Sequence, residues 1–168
     1  NGIMDMPDGG DSYYYSIPHL KTGGKILVGN ETFDVASGDS WMDHQWGDFN
    51  LINYGWEWFS LRLENGICAN IFVHVDKNKE VVDAKANFIM PDDERIVLGR
   101  NQFSITARED YWTYDAEELC DYSGINEIVK NKKITYPQTF LIDFHSIGIS
   151  ATIKSVFPLQ YGYWYWEG

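Results

Sequence analysis

The sequence is short of positive charge and has no long apolar segment. It carries 13 lysines and arginines against 25 aspartates and glutamates, a formal net charge of −12. Such a surface repels nucleic-acid phosphates and anionic membranes, so we predict no nucleic-acid partner. No apolar run approaches the roughly 20 residues of a membrane-spanning helix, so we also predict no membrane span.

Sequence motifs that bind cofactors are missing as well. The chain contains no glycine-rich phosphate loop, no His-Glu-x-x-His pair and no Gly-x-Ser-x-Gly elbow. The four histidines are scattered, and the two cysteines, Cys68 and Cys120, lack metal-ligand spacing. We therefore predict no metal and no other cofactor. The cysteines can form one disulfide or stay as two buried thiols that pack as small apolar groups.

Aromatic residues are abundant instead, at 16% of the chain with seven tryptophans and eleven tyrosines. Short segments of alternating apolar and polar residues recur between turn residues, which is typical of antiparallel strands. This pattern predicts an all-β sandwich or barrel with little helix. Only residues 115–122 and 125–133 have helical character.

The clearest predicted hairpin spans residues 56–75, with Asn65-Gly66 as its turn. Further turns are predicted at Gly29-Asn30, between two short strands, and at 76–80 and 146–148. One apolar face of the alternating strands should be buried. Its predicted members are Phe59, Leu61, Leu63, Ile71, Val73, Phe140, Ile142 and Phe144.

The segment SGDSWMDHQWGDF, residues 37–49, is the strongest candidate site. In extended backbone His44 and Trp46 share one face, while Asp43 and Gln45 share the other. A histidine beside a carboxyl group can pass a proton near neutral pH, and an indole face can stabilise positive charge. The alternative is a structural corner, in which Asp43 and His44 bond backbone groups.

Three further segments rich in aromatic residues fit either a functional or a structural role. Residues 13–15 are three tyrosines that can line a ligand pocket or simply build a strand. Glu57 stands between two tryptophans, where it is either desolvated, with a raised pKa, or turned to solvent. The closing segment 161–168 is aromatic enough that we expect it to pack against the fold or against further sequence.

Four segments together resemble a known family. SYYYSIPHLKTGGKI, VASGDSWMDHQWGDF, GWEWFSLRLENG and YWEG occur in this order, and the second contains the signature Trp-x-Asp-His-x-Trp-Gly. The chain is similar to the lipocalin-like proteins that include carotenoid hydratase (hydroxyneurosporene synthase), the AttH proteins, kievitone hydratase and fungal Diels–Alderases. The resemblance implies an all-β, antiparallel lipocalin-like (calycin-type) barrel or strongly curved sheet, as part of a two-barrel protein.

The same resemblance implies a domain layout. Residues 1–11 would be an irregular lead-in or linker, and residues 12–168 a lipocalin-like β domain. Whether that domain spans parts of two barrel halves stays open. Family members usually continue on both sides of the matched segments, so the remainder of a larger chain is an expected partner.

The resemblance also implies a function, namely a cofactor-independent enzyme that hydrates or cyclises a lipophilic alkene or polyene, such as an isoprenoid. Its catalytic residues would be Asp43, His44 and Trp46. The downstream Tyr and Asp pair of the hydratases has no clear match, and Tyr54, Asp48 and Glu57 are only nearby substitutes. The alternative is a lipocalin-like protein that binds a hydrophobic ligand without catalysis. For either function, we predict that the ligand-binding residues are Tyr14, Trp41, Tyr54, Trp56 and Trp58.

Overall fold

A computed structural model of the protein describes residues 2–7, 9–49, 53–115 and 133–156. The chain divides into two compact units, Asn1–Arg100 and Asn101–Gly168. All regular structure in the described ranges is antiparallel β-sheet, which confirms the predicted all-β class. None of the described residues form a helix long and apolar enough to cross a bilayer.

The described part of the first unit contains seven strands in two sheets, with the orders β1-β2-β3 and β4-β5-β6-β7. These strands are β1 (Ile3–Asp5), β2 (Gly10–Val28), β3 (Glu31–Phe49), β4 (Tyr54–Arg62), β5 (Cys68–Asp76), β6 (Val81–Ile89) and β7 (Arg95–Gly99). The second unit contains β8 (Ser104–Ala107), β9 (Tyr111–Asp115), β10 (Lys133–Pro137), β11 (Thr139–Phe144) and β12 (Ile149–Lys154).

Strands β2 and β3 form one long hairpin closed by the Gly29-Asn30 turn, as predicted. Gly29 has a φ of 59°, which glycine adopts without steric cost. The sequence pattern suggested short strands, but each strand is 19 residues long. Two irregularities in the ladder, after Ile17 and after Thr22, divide the hairpin. Pro18 lies in the first of them, where its missing N–H does not interrupt the ladder.

The β4–β5 hairpin is also the predicted one. Leu63 and Ile67 close a three-residue loop through a backbone hydrogen bond of 2.8 Å. Gly66 occupies the left-handed position of that loop, at a φ of 84°, and the Asn65 side chain accepts a hydrogen bond from the Ile67 N–H at 3.2 Å. This is the three-residue loop with glycine in the left-handed region that follows a type I turn.

One face of the β4–β7 sheet supplies the apolar core of the first unit. Ile71 and Ala86 are fully buried neighbours in the ladder, and Phe88 pairs with Ala69 beside them. The predicted core residues Ile71 and Val73 are buried, whereas Phe59, Leu61 and Leu63 are only half-buried. Strand β4 lies at the edge of its described sheet, so that sheet supplies only one neighbouring strand, β5, to cover its side chains.

Residues 101–115 and 133–156 of the second unit form two smaller sheets, with the orders β8-β11-β12 and β9-β10. Residues 145–148 connect β11 to β12, and Gly148 takes a φ of 69°, which confirms the predicted turn. Phe140, Ile142 and Phe144 alternate along β11 and are buried, also as predicted.

Closure into a barrel is the part of the fold prediction that the described residues do not bear out. Among the described residues, each of the four sheets is open and ends in two edge strands that pair on one side only. Residues 3–5, within the predicted lead-in, form a short strand on β2. Cys120, the segments with helical character apart from their end residues 115 and 133, and the aromatic segment 161–168 lie outside the described residues.

Candidate functional site

The β2–β3 ladder brings four aromatic side chains together on one face of the hairpin. Tyr13 pairs with Trp46, and Tyr15 pairs with His44. We call this group the His44 face. Its three large rings, Tyr13, Tyr15 and Trp46, are 39–48% exposed. The face is therefore an aromatic surface that a ligand can reach.

His44 contacts two of these neighbours directly. Its Nδ1 lies 3.2 Å from the hydroxyl oxygen of Tyr15, and its ring centroid is 4.8 Å from that of Trp46. Tyr13 stacks on Trp46 with centroids 5.5 Å apart. The phenol fixes the imidazole at Nδ1, so Nε2 is the nitrogen left to face a ligand.

The opposite face of the same hairpin carries Asp43. Its Oδ1 accepts hydrogen bonds from the hydroxyls of Tyr14 and Ser16. Asn70 on β5 donates to both of those hydroxyl oxygens, at 3.1 Å each. Asn70 is buried, and Phe72 next to it on the same face packs edge-on against the Tyr14 ring. This polar cluster therefore joins the β2–β3 hairpin to the β4–β7 sheet.

The predicted alternation is confirmed, but Asp43 does not orient the imidazole. Successive side chains of an extended strand point to opposite faces of the sheet. The carboxylate of Asp43 therefore cannot reach the imidazole of the next residue, His44. Tyr15, from the neighbouring strand, contacts His44 instead. Asp43 holds the strand in place through Tyr14, Ser16 and Asn70.

Burial and the hydrogen bond to Asp43 raise the pKa of Tyr14 from its usual 10 to about 12. Both effects favour the neutral phenol, which can donate to the carboxylate. Between those pH values the unfolded chain ionises Tyr14 while the folded chain does not. The stabilisation from this residue is thus complete below pH 10 and is lost as the pH rises through 12.

We expect Tyr14→Phe to remove a phenol that titrates near pH 12. The ultraviolet phenolate signal of the wild type minus that of the variant should show one group ionising near pH 12 instead of pH 10. Tyr13→Phe, which removes a phenol on the other face, is the control and should keep the high-pH component. A difference titration centred at pH 10 would contradict the hydrogen bond between Tyr14 and Asp43.

Gly47 allows the two strands to approach closely beside the site. It pairs with Ser12, has a φ of 152°, and a Cβ built on it would lie 2.2 Å from the backbone oxygen of Asp11. A backbone atom cannot move aside as the end of a flexible side chain can. The close approach of the two backbones therefore requires a glycine at the position that follows Trp46 in the Trp-x-Asp-His-x-Trp-Gly signature.

We expect Gly47→Ala to lower the free energy of unfolding by more than about 1 kcal/mol, because an alanine is strained there. Gly23→Ala is a suitable control, since the nearest atom to its added Cβ would be 3.7 Å away. That variant should stay within about 1 kcal/mol of the wild type. Urea unfolding of both variants measures the difference, and equal midpoints would show that the close approach is absent.

The remaining predicted site residues lie on the Asp43 side or on β4. Trp41 shares the face of Asp43, and the guanidinium carbon of Arg62 lies 5.9 Å from its ring centroid. The Trp41 Nε1 is buried with no hydrogen-bond partner among the described residues. The predicted ligand-binding residues on β4 are Tyr54, Trp56 and Trp58. Their side chains lie on the sheet face that also carries Phe72 and Asn70 of β5, and so they are not part of the His44 face.

Glu57 is desolvated, although its two tryptophan neighbours are not the reason. It points to the apolar face of its sheet, opposite Val73, while Trp56 and Trp58 point to the other face. Burial raises the pKa of this carboxyl group. Alternation along the strand separates Glu57 from the indoles that adjoin it in sequence.

Sequence reasoning missed a second polar contact between the two sheets. The Sγ of Cys68 lies 3.1 Å from the Nε2 of His19, and the Nδ1 of His19 lies 3.0 Å from Oδ2 of Asp39. These residues are 49 and 20 positions apart, so no local motif identifies them. Within the described ranges no group of His, Cys, Asp and Glu side chains is arranged to hold a metal ion.

A family model described as AttH-like matches residues 2–168. The chain belongs to the AttH-like family. The predicted resemblance is thereby confirmed. No curated protein matches this AttH-like chain.

Two solved structures are similar to this AttH-like chain. An AttH protein from Nitrosomonas europaea is 23% identical, with a TM-score of 0.65 over 86% of this chain and 41% of that one. Kievitone hydratase from Nectria haematococca is 20% identical, with a TM-score of 0.55 over 84% of this chain and 39% of that one. The chain thus spans about two fifths of either structure, and at these identities the likeness establishes the fold.

Proposed function

We propose that the protein is a cofactor-independent enzyme that adds water to a carbon–carbon double bond of a lipophilic molecule. The observation that carries this proposal is the contact of His44 with both Tyr15 and Trp46 on an accessible aromatic face. A proton donor held at a fixed angle beside an indole is what an alkene needs in order to be protonated and sheltered as a cation.

Water is the only co-reactant that this reaction needs. The protonated imidazole of His44 gives its proton to one alkene carbon, and the neighbouring carbon becomes cationic. The negative face of the Trp46 ring stabilises that cation, and Tyr13 extends the apolar surface beneath the substrate. Water then forms a bond to the cationic carbon and returns a proton to the imidazole.

The comparisons support this class of reaction at a coarse level. One similar structure is a hydratase by name, and the AttH-like family model covers nearly the whole chain. We further propose that the open sheets form part of a lipocalin-like domain that encloses the substrate, and that the substrate is an isoprenoid or another polyene. Apolar rings that cover the reacting carbons would keep competing water away.

The test is incubation of the purified protein with an acyclic isoprenoid polyene and with a prenylated phenol in ¹⁸O-labelled water. A hydratase yields a product heavier by one labelled water. A cyclase yields a product of unchanged mass and altered retention. An unaltered substrate in both reactions would contradict an enzymatic role with these substrate classes.

A non-catalytic binding function is the second candidate, and the exposed area of Tyr13, Tyr15 and Trp46 favours it. Large exposed rings are typical of ligand and partner surfaces. A binder would quench the Trp46 fluorescence on adding the polyene without forming product. Trp46→Phe should remove that quenching.

A further inference from the structure

We propose that Cys68, His19 and Asp39 form a nucleophilic thiol site that accepts a small activated acyl group, such as that of an ester or thioester. The site is separate from the His44 face. It lies between the β2–β3 hairpin and the β4–β7 sheet, so it does not depend on the proposed hydration.

The three side chains are arranged in line. The Cys68 Sγ is 3.1 Å from His19 Nε2, and His19 Nδ1 is 3.0 Å from Asp39 Oδ2. A single tautomer satisfies both contacts, with Nδ1–H donating to the carboxylate and Nε2 accepting from the thiol. A nucleophile, a base and a group that orients the base, each within hydrogen-bond reach of the next, are the elements of covalent catalysis.

Charged groups surround this line of side chains. Arg62 is directly opposite Cys68 in the β4–β5 ladder, and its Nη1 lies 3.6 Å from Asp39 Oδ2 and 3.3 Å from the Asp39 carbonyl oxygen. Lys21 is opposite Asp39 in the β2–β3 ladder. The guanidinium has further N–H donors, which can face the negative charge that develops on an attacked carbonyl oxygen.

The electrostatics favour a neutral thiol that is activated only during reaction. Burial raises the pKa of Cys68, so the sulfur keeps its proton at rest. The hydrogen bond from His19 lowers the pKa of Asp39, which therefore stays ionised and can stabilise the imidazolium that forms. The histidine acts here as a general base, as in a serine–histidine pair.

Burial also limits what can react. Cys68 is 1% exposed, whereas the side chain of His19, which contacts its sulfur, is 54% exposed. A sulfur this buried can accept only a small electrophile, which we place beside the exposed His19. In the reaction an Sγ–C bond forms and the bond from carbon to the leaving oxygen or sulfur breaks. The thiol proton passes to His19 Nε2 and then to the leaving group.

The probe for this site is p-nitrophenyl acetate, with the folded protein. We expect p-nitrophenolate release together with acetylation of Cys68, located by peptide mass mapping, which also distinguishes Cys120. Cys68→Ser should abolish the thioester. His19→Gln should slow acetylation by roughly 10²-fold or more, the usual contribution of a general base, and Asp39→Asn should slow it less.

If the contact between Cys68 and His19 were only structural, replacing His19 would not change how acetylation depends on pH. The pH dependence of acetylation should change in His19→Gln, where no imidazole takes the thiol proton. His145→Gln is the matched control, since that histidine lies 2.9 Å from a backbone carbonyl oxygen instead of a thiol. An unreactive Cys68, an equal rate in His19→Gln, or acetylation that occurs only on unfolding in urea would overturn the proposal.

Discussion

His44→Ala is expected to lower the rate of alkene hydration by roughly 10²–10⁴-fold, the usual contribution of a positioned acid or base. In the proposed reaction the imidazole of His44 transfers the proton, and its Nδ1 lies 3.2 Å from the Tyr15 hydroxyl oxygen. Removing it leaves the Tyr13–Trp46 stack in place. The variant should therefore still bind the substrate, and kcat should fall far more than KM rises.

Tyr15→Phe and His145→Ala separate this chemical role from a structural one. Tyr15→Phe keeps the ring but loses the hydroxyl, so the imidazole turns more freely and activity should fall by less than in His44→Ala. His145→Ala removes a histidine of the second unit and should leave turnover unchanged. A loss below tenfold in His44→Ala would mean that the imidazole only positions the substrate. A variant that unfolds would support the structural corner.

Phe88→Ala is expected to lower the free energy of unfolding of the first unit by about 3–5 kcal/mol. Phe88 is 1% exposed and lies on the apolar face of the β4–β7 sheet, paired with Ala69 and Ile96. Both partners are fixed in neighbouring strands, so the sheet cannot collapse easily into the space that the ring leaves.

Val97→Ala on the adjacent strand provides the matched control. Val97 is 61% exposed and pairs with Asn87 on the other face of the same sheet. Its truncation should change the free energy of unfolding by no more than about 0.5 kcal/mol. Chemical denaturation followed by tryptophan fluorescence measures both variants. Equal midpoints for Phe88→Ala and the wild type would show that the apolar face is not a packed core.

The turns of the fold could be predicted because they depend on a few local residues. Asn65-Gly66 and Gly29-Asn30 each require a backbone shape that those residues favour, and both hairpins form where expected. The length of β2 and β3 could not be predicted in this way. Proline and glycine usually interrupt strands, yet the ladder accommodates Pro18, Gly23 and Gly24 at its two local irregularities.

The candidate site was predictable in its alternation but not in its contacts. Extended backbone alone places His44 and Trp46 on one face and Asp43 on the other. The partners come from elsewhere: Tyr15 from the paired strand, and Asn70 from a different sheet. Such contacts depend on strand register and sheet packing, which single-sequence patterns do not encode. Proximity along the chain therefore does not make Asp43 a hydrogen-bond partner of the His44 imidazole.

The two irregularities of the β2–β3 ladder also bear on how the length of this hairpin can vary. At the first irregularity, two residues of β2, Pro18 and His19, lie opposite the single residue Trp41 of β3. At the second, two residues of β3, Ala36 and Ser37, lie opposite the single residue Gly23 of β2. The extra residues are on opposite strands, so the pairing returns to its original register beyond them. Losing one residue at either point would restore regular pairing without turning any flanking side chain to the wrong face. Alignment gaps among relatives should therefore collect there, whereas a gap within residues 13–16 would invert the His44 face.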